Sequence, residues 1–142
     1  MKPVRILLVG ALAALSINVA MAADNPGLYD QLGGKPGITK IIDGMLMHVL
    51  EDQRIKTVFA HANIPHLKMM LVEQVCAETG GPCTYTGESM REAHKGMNIN
   101  SAQFNALVED LQRSFADNNV PIGAGNKLLA ILAPMKKDVD HK

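Results

Sequence analysis

From Ile38 onward the apolar residues fall at 38, 41, 42, 45, 46, 49 and 50, a spacing of i, i+3, i+4, i+7 held for more than three turns. This pattern predicts an amphipathic helix that buries Ile38, Ile41, Ile42, Met45, Leu46 and Val49, with Lys40, Asp43 and His48 on its solvated side. The preceding stretch, 24–37, carries Pro26, Gly27, Gly33, Gly34 and Pro36 and reads as a short helix and a tight corner. After the main helix, Ile55, Val58 and Phe59 mark a short connector. A lone ring at such a corner fills core volume or presses on a flat ligand.

Asn63 and Pro65 then form a helix start, a side-chain cap followed by a proline at an early helical position. The helix they open runs to about Glu78, with Leu67, Met70, Leu71 and Val75 on one face and Met69, Val72 and Cys76 beside it. A glycine and proline break at 80–87 leads into a short helix in which Met90, Ala93, His94 and Met97 share a side. Gly96 marks its stop, and Asn100 with Gln103 forms a capping box for the next helix, whose apolar positions are Phe104, Leu107, Val108, Leu111 and Phe115. A last helix starts near Ala124 and should bend at Pro134. With no sustained period-two alternation and no internal repeat, the chain reads as one all-α domain of about five substantial helices.

Composition supports this reading. The chain of 142 residues is 47% hydrophobic but only 4% aromatic, and nine methionines with many leucines supply the apolar volume. Unbranched side chains lose little rotamer freedom in helices. A formal net charge of zero gives no electrostatic case for nucleic acid or for an anionic membrane surface as a partner. The first 22 residues stand apart: Lys2 and Arg5 precede a mostly apolar run, Ile6 to Ala20, and Ala20-Met21-Ala22 has the small-x-small pattern of signal-peptide cleavage. The expected division is therefore a signal peptide over 1–22 and a mature domain over 23–142, periplasmic or secreted. The apolar run is too short for a stable membrane span.

Export changes the meaning of the cysteines. Cys76 and Cys83 lie seven positions apart, and in an oxidising compartment they can close a small loop. The alternative is a free buried Cys76 with an exposed Cys83. Neither lies in the C-x-x-C-H pattern that attaches haem through thioethers.

Familiar catalytic constellations are missing. The sequence contains no H-E-x-x-H, G-x-S-x-G or phosphate-binding glycine loop, and no histidine and carboxylate set at ligand spacing. Of the five histidines, His48, His61 and His141 lie on polar or terminal segments and His66 opens the second long helix; His94 alone shares a side with apolar neighbours. A single histidine there is more often a satisfied core residue than a ligand. One imidazole is too few for structural zinc, whereas a haem iron needs one protein ligand opposite an open position.

Three segments carry a resemblance to a known family: Leu28-Tyr29-Asp30-Gln31-Leu32-Gly33-Gly34, the Phe59 corner, and Tyr85-Thr86-Gly87-Glu88-Ser89-Met90-Arg91-Glu92-Ala93-His94. In these the chain resembles the group I truncated haemoglobins, and the likeness extends to Ala133-Pro134-Met135-Lys136-Lys137-Asp138. The resemblance implies a two-over-two helical sandwich around non-covalent haem b, with His94 as the proximal iron ligand. It also implies that Phe59 stacks on the porphyrin, that Met90, Ile99 and Phe104 line the proximal side, and that Lys68, Arg91 or Lys95 meets the propionates.

On the distal side the sequence departs from the family pattern. Where many members carry an aromatic pair ending in tyrosine, this chain has Met45 and Leu46; where they offer glutamine or histidine, it has Leu67, Met70 and Leu71, with Gln74 one turn further. The implied pocket is apolar, lined by Leu46, Leu67, Met70 and Leu71. Retention of dioxygen leans on hydrogen-bond donors more than retention of carbon monoxide or nitric oxide does.

The first expectation is thus a haem protein that binds a diatomic gas, O2, NO or CO. A second is an electron-transfer or redox-sensing protein with its own redox partner, in which Met70, Met69 or His66 supplies a sixth ligand. A third is a helical binding module with no cofactor. Enzymatic turnover is not argued by these residues, since no distal acid or base is apparent.

Overall fold

The computed structural model describes residues 25–140, so the expected signal peptide at 1–22 lies outside the described residues. Four helices do most of the packing: α2 (Gly34–Glu51), α3 (Ile64–Glu78), α5 (Ser101–Asp117) and α6 (Ile122–Leu132). Short pieces connect them: α1 (Leu28–Gln31), a 3-10 turn (Lys56–Phe59), α4 (Met90–Ala93), a second 3-10 turn (Ala133–Met135) and α7 (Lys136–Val139). The architecture is a two-over-two helical sandwich, all-helical with no strand among the described residues.

The long helix α2 begins four residues before its apolar pattern does. Gly33, at φ 84°, turns the chain into it, a conformation that a residue with a Cβ rarely adopts. Pro36 then falls in the first turn, where its missing N–H leaves no intrahelical bond unmade. The segment of turn formers is therefore helical from Gly34. The face predicted from spacing is buried throughout, with Ile38, Ile41, Ile42, Met45, Leu46 and Val49 at most 4% exposed.

That face packs on α5 and α3. The crossing with α5 is close because Gly44 presents no side chain to it: a Cβ there would lie 2.5 Å from Ser114 Oγ. The buried Ser114 hydroxyl uses the space to donate to the Ile41 carbonyl at 2.6 Å. His48, expected to be solvated, is half-buried and its Nε2 lies 2.7 Å from Asp117 Oδ2 on α5.

Helix ends follow their sequence signals. Asn63 accepts from the backbone N–H of His66 at the start of α3, and Asn100 and Gln103 form the reciprocal capping box of α5. Pro134 interrupts the last helix, which passes through a 3-10 turn before α7. Among the described residues four helices are substantial, where about five were expected, and the segment around His94 makes a single turn. Cys76 and Cys83 are joined in a disulfide, so the free-thiol alternative does not hold. No described helix is long and apolar enough to cross a membrane.

Candidate functional site

A cavity of about 770 Å³ opens between α3 and the segment that runs from α4 into α5. Its volume is in the range of small-molecule and cofactor sites, and its walls are mostly apolar. One wall is α3, which contributes Leu67, Met70, Leu71 and Gln74, with His66 and Met69 more exposed. The corner after α2 adds Ile55, Val58 and Phe59. Met90, His94 and Ile99 form the facing side, and Phe104 and Leu107 of α5 close the interior.

The helix α4 ends at Ala93, and His94 is its C-cap residue. The chain then turns through Gly96, at φ 76°. Met97 consequently leaves the helical face it was expected to share and is 43% exposed on the cavity wall. His94 is half-buried beside the open cavity and not enclosed in packed core.

One contact decides the chemistry of its ring. His94 Nδ1 lies 2.7 Å from the Met90 carbonyl oxygen. A carbonyl only accepts, so Nδ1 carries the proton and Nε2 keeps the lone pair that the cavity can use. The same arrangement fixes ring orientation and raises ligand basicity in metal-bound histidines.

On the α3 wall the one buried hydrogen-bond donor is the Gln74 side chain, and the His66 ring is more exposed. Gln74 is buried, but its Nε2 lies 3.4 Å from Met90 Sδ and 3.6 Å from Met135 Sδ. Its amide hydrogens thus tie α3 to α4 and to the C-terminal segment. The loop at 85–88 adds to the polar lining, beside Asn63, His66, Gln74 and Gln103. Glu73 Oε2 accepts from the Thr86 amide at 3.1 Å and from its hydroxyl at 2.8 Å. These bonds hold the Glu73 carboxyl below the usual carboxylate range. Burial pushes the Tyr85 phenol up, with the charges of Glu88 and Glu73 adding to it.

Of the residues singled out from sequence, Phe59, Leu67, Met70, Leu71, Met90, His94, Ile99 and Phe104 all lie on this cavity. Leu46 does not. It is 4% exposed within the core cluster and is absent from the cavity wall, because its side of α2 is taken up by packing on neighbouring helices. The three cations expected at propionates also lie off the wall and have carboxylate partners: Lys68 with Asp43 at 2.6 Å, Arg91 with Asp138 at 3.0 Å and Lys95 with Glu92 at 3.8 Å. Sequence reasoning missed Gln74 as a bridge between walls and Lys136, whose ammonium lies 5.9 Å from the Phe104 ring centroid. Nothing in local spacing links residues so far apart in the chain.

Comparison with known proteins identifies the arrangement. Residues 27–141 match the family of bacterial-like globins. The group 1 truncated haemoglobin of Synechocystis is 33% identical over 119 residues, covering 81% of this chain and 93% of that protein. The group 1 truncated haemoglobin of Tetrahymena pyriformis is 29% identical over 112 residues, 79% of this chain and 93% of its own length. A crystal structure of truncated haemoglobin from Tetrahymena pyriformis in its Fe(III) form superposes with a TM-score of 0.78 at 28% identity, covering 82% of this chain and all of the other.

Proposed function

Because this chain belongs to the bacterial-like globin family, and within it to the group 1 truncated haemoglobins, we propose that it binds haem b non-covalently and takes up a diatomic gas there. The observation that carries this reading is the His94 ring, with Nδ1 engaged by the Met90 carbonyl and Nε2 left for the cavity. The site fits the group in three respects. The cavity is large enough for a flat cofactor and apolar on its main walls, and it offers the His94 imidazole, with His66 more exposed on α3, and no described cluster of metal ligands that would favour a bare ion.

In this reading His94 holds the iron, and Phe59 and Phe104 pack on the macrocycle. Haem supplies an iron with an open coordination position at which O2, NO or CO binds. The chain's own contribution on that side is exclusion of water by Leu67, Met70 and Leu71. None of these can donate a hydrogen bond, and the Gln74 amide is already engaged. The pocket therefore favours ligands that do not depend on donors, and dioxygen should leave quickly. Absorption spectra of the purified protein in ferric, ferrous and CO-bound forms test the proposal; protein that stays colourless with excess haem overturns it.

A second reading is favoured by the position of Met70 and His66, both on the α3 wall. Either side chain, or Met69, can supply a sixth iron ligand for electron transfer or redox sensing. Six-coordinate spectra in both oxidation states, with slow CO uptake, would select it. We place the protein in the periplasm or outside the cell. The basic and apolar start of the chain supports that location, and so does a disulfide, which persists in oxidising compartments. Cell fractionation and the mass of the mature chain test it.

A further inference from the structure

Away from the cavity, two carboxyl groups are buried against each other where α2 ends. Asp110, in the middle of α5, is fully buried, and Asp52, which caps α2, has a side chain only 7% exposed. Asp110 lies within hydrogen-bonding reach of Asp52. Yet among the described residues Asp110 Oδ2 accepts from no donor, and Oδ1 meets Arg113 at a long 3.5 Å. A buried carboxylate with an unpaired oxygen beside a second carboxylate is an unfavourable arrangement. A neutral acid removes the conflict, because a protonated carboxyl can donate to Asp52.

The remaining charges agree with one shared proton. From the segment after α2, Arg54 grips Asp52 through Nε and Nη2, the latter at 2.7 Å, and reaches Glu109 of α5 through Nη1 at 2.6 Å. His48 of α2 also faces Asp110 but is engaged by Asp117. With Asp110 neutral, Asp52 and Glu109 are balanced by Arg54 and Arg113. With Asp110 ionised, one buried negative charge is left over.

Asp52 is also where the cavity corner is anchored. Its backbone carbonyl accepts from the amides of Ile55 and Lys56, the start of the turn that carries Ile55, Val58 and Phe59 into the cavity wall. Asp110 lies one turn beyond Leu107, the cavity residue of α5. We propose that Asp110 is a positioning residue: as a neutral acid it donates to Asp52, latching the Phe59 corner to α5, and loss of that proton loosens the cavity. The consequence for the cofactor rests on the haem reading; the latch itself does not.

The sign is fixed by the environment. Burial, and then the Asp52 charge, push the Asp110 carboxyl up. Its contribution is therefore present at acid pH and is lost as pH rises from the ordinary carboxylate range through the raised value. The test uses the mature chain and its Asp110→Asn variant, which keeps a neutral donor of the same shape. Infrared spectra of the native protein should show a protonated carboxyl stretch that Asp110→Asn lacks and that fades as pH rises. The rate of haem transfer to a scavenging apoglobin, divided by that of Asp110→Asn, should rise severalfold across the same titration. A native spectrum without that band down to the ordinary carboxylate range overturns the latch. A band that titrates with no change in the rate ratio overturns its link to the cavity. Failure to take up haem removes the functional reading and leaves the infrared result to decide the latch.

Discussion

His94 Nδ1 and the Met90 carbonyl oxygen, four residues apart and separated by 2.7 Å, set the tautomer of the one histidine that faces the cavity from α4. The Met90 carbonyl also accepts the His94 backbone N–H at 3.2 Å, so ring and backbone of the C-cap residue share one carbonyl of the last turn. A helix terminus thus orients the imidazole at the cavity wall.

Replacing His94 by glycine should abolish the haem Soret band while the helical circular dichroism is kept, because His94 is half-buried and its ring belongs to no packed layer. Added imidazole should restore the band. Loss of helix content in parallel with loss of colour would make His94 a structural residue.

The disulfide ties the C-terminal end of α3 to the loop that leads to α4. Changing Cys76 and Cys83 together to serine should lower the unfolding free energy by about 2 to 3 kcal/mol, the chain-entropy value for a short loop. Urea unfolding of the two proteins measures it. The same variant reports whether the 85–88 part of the cavity wall depends on the bond, through the CO association rate.

Gly44 gives a test with an unusual sign. Alanine in place of glycine inside a helix ordinarily stabilises by roughly 0.5 to 1 kcal/mol. Here the new Cβ would lie 2.5 Å from Ser114 Oγ, so Gly44→Ala should destabilise by about 1 to 3 kcal/mol as overpacking does. Combining it with Ser114→Ala should recover part of the loss, and a double-mutant cycle from thermal or urea unfolding would show coupling of at least about 0.5 kcal/mol.

Glu73 holds the cavity loop through Thr86, and those hydrogen bonds depress its carboxyl. A depressed carboxyl stabilises above its unfolded value and loses that contribution as pH falls through the folded one. Acidification below the ordinary carboxylate range should therefore free the loop. Amide hydrogen exchange at Thr86 and Gly87, followed against pH in the native protein and in Glu73→Gln, should show the acid-induced rise in the native protein alone.

Much of this was written in local pattern. The face of α2 from Ile38 to Val49 follows from period alone, because one side of an amphipathic helix has nowhere to go but the core. The caps at Asn63 and Asn100 and the break at Pro134 are likewise chemistry of a few neighbouring residues. The start of α2 was misjudged from turn formers, since a proline in a first turn and a glycine at positive φ open a helix as readily as they break one.

The candidate site was legible only in part. Most of the apolar residues assigned to it lie on the cavity, whereas Leu46 sits in the core and Lys68, Arg91 and Lys95 sit in ion pairs. Spacing tells which side of a helix is apolar, but not whether that side meets another helix or an opening.

By itself, the sequence determined the helices, their caps and the family to which the chain belongs, all of which depend on neighbours along the chain or on shared motifs. The tertiary structure alone decided the open side of His94, the engagement of Gln74 by two methionines from other segments, and the confrontation of Asp52 with Asp110. Each of these depends on where helices cross, and a crossing brings together residues that no local period relates.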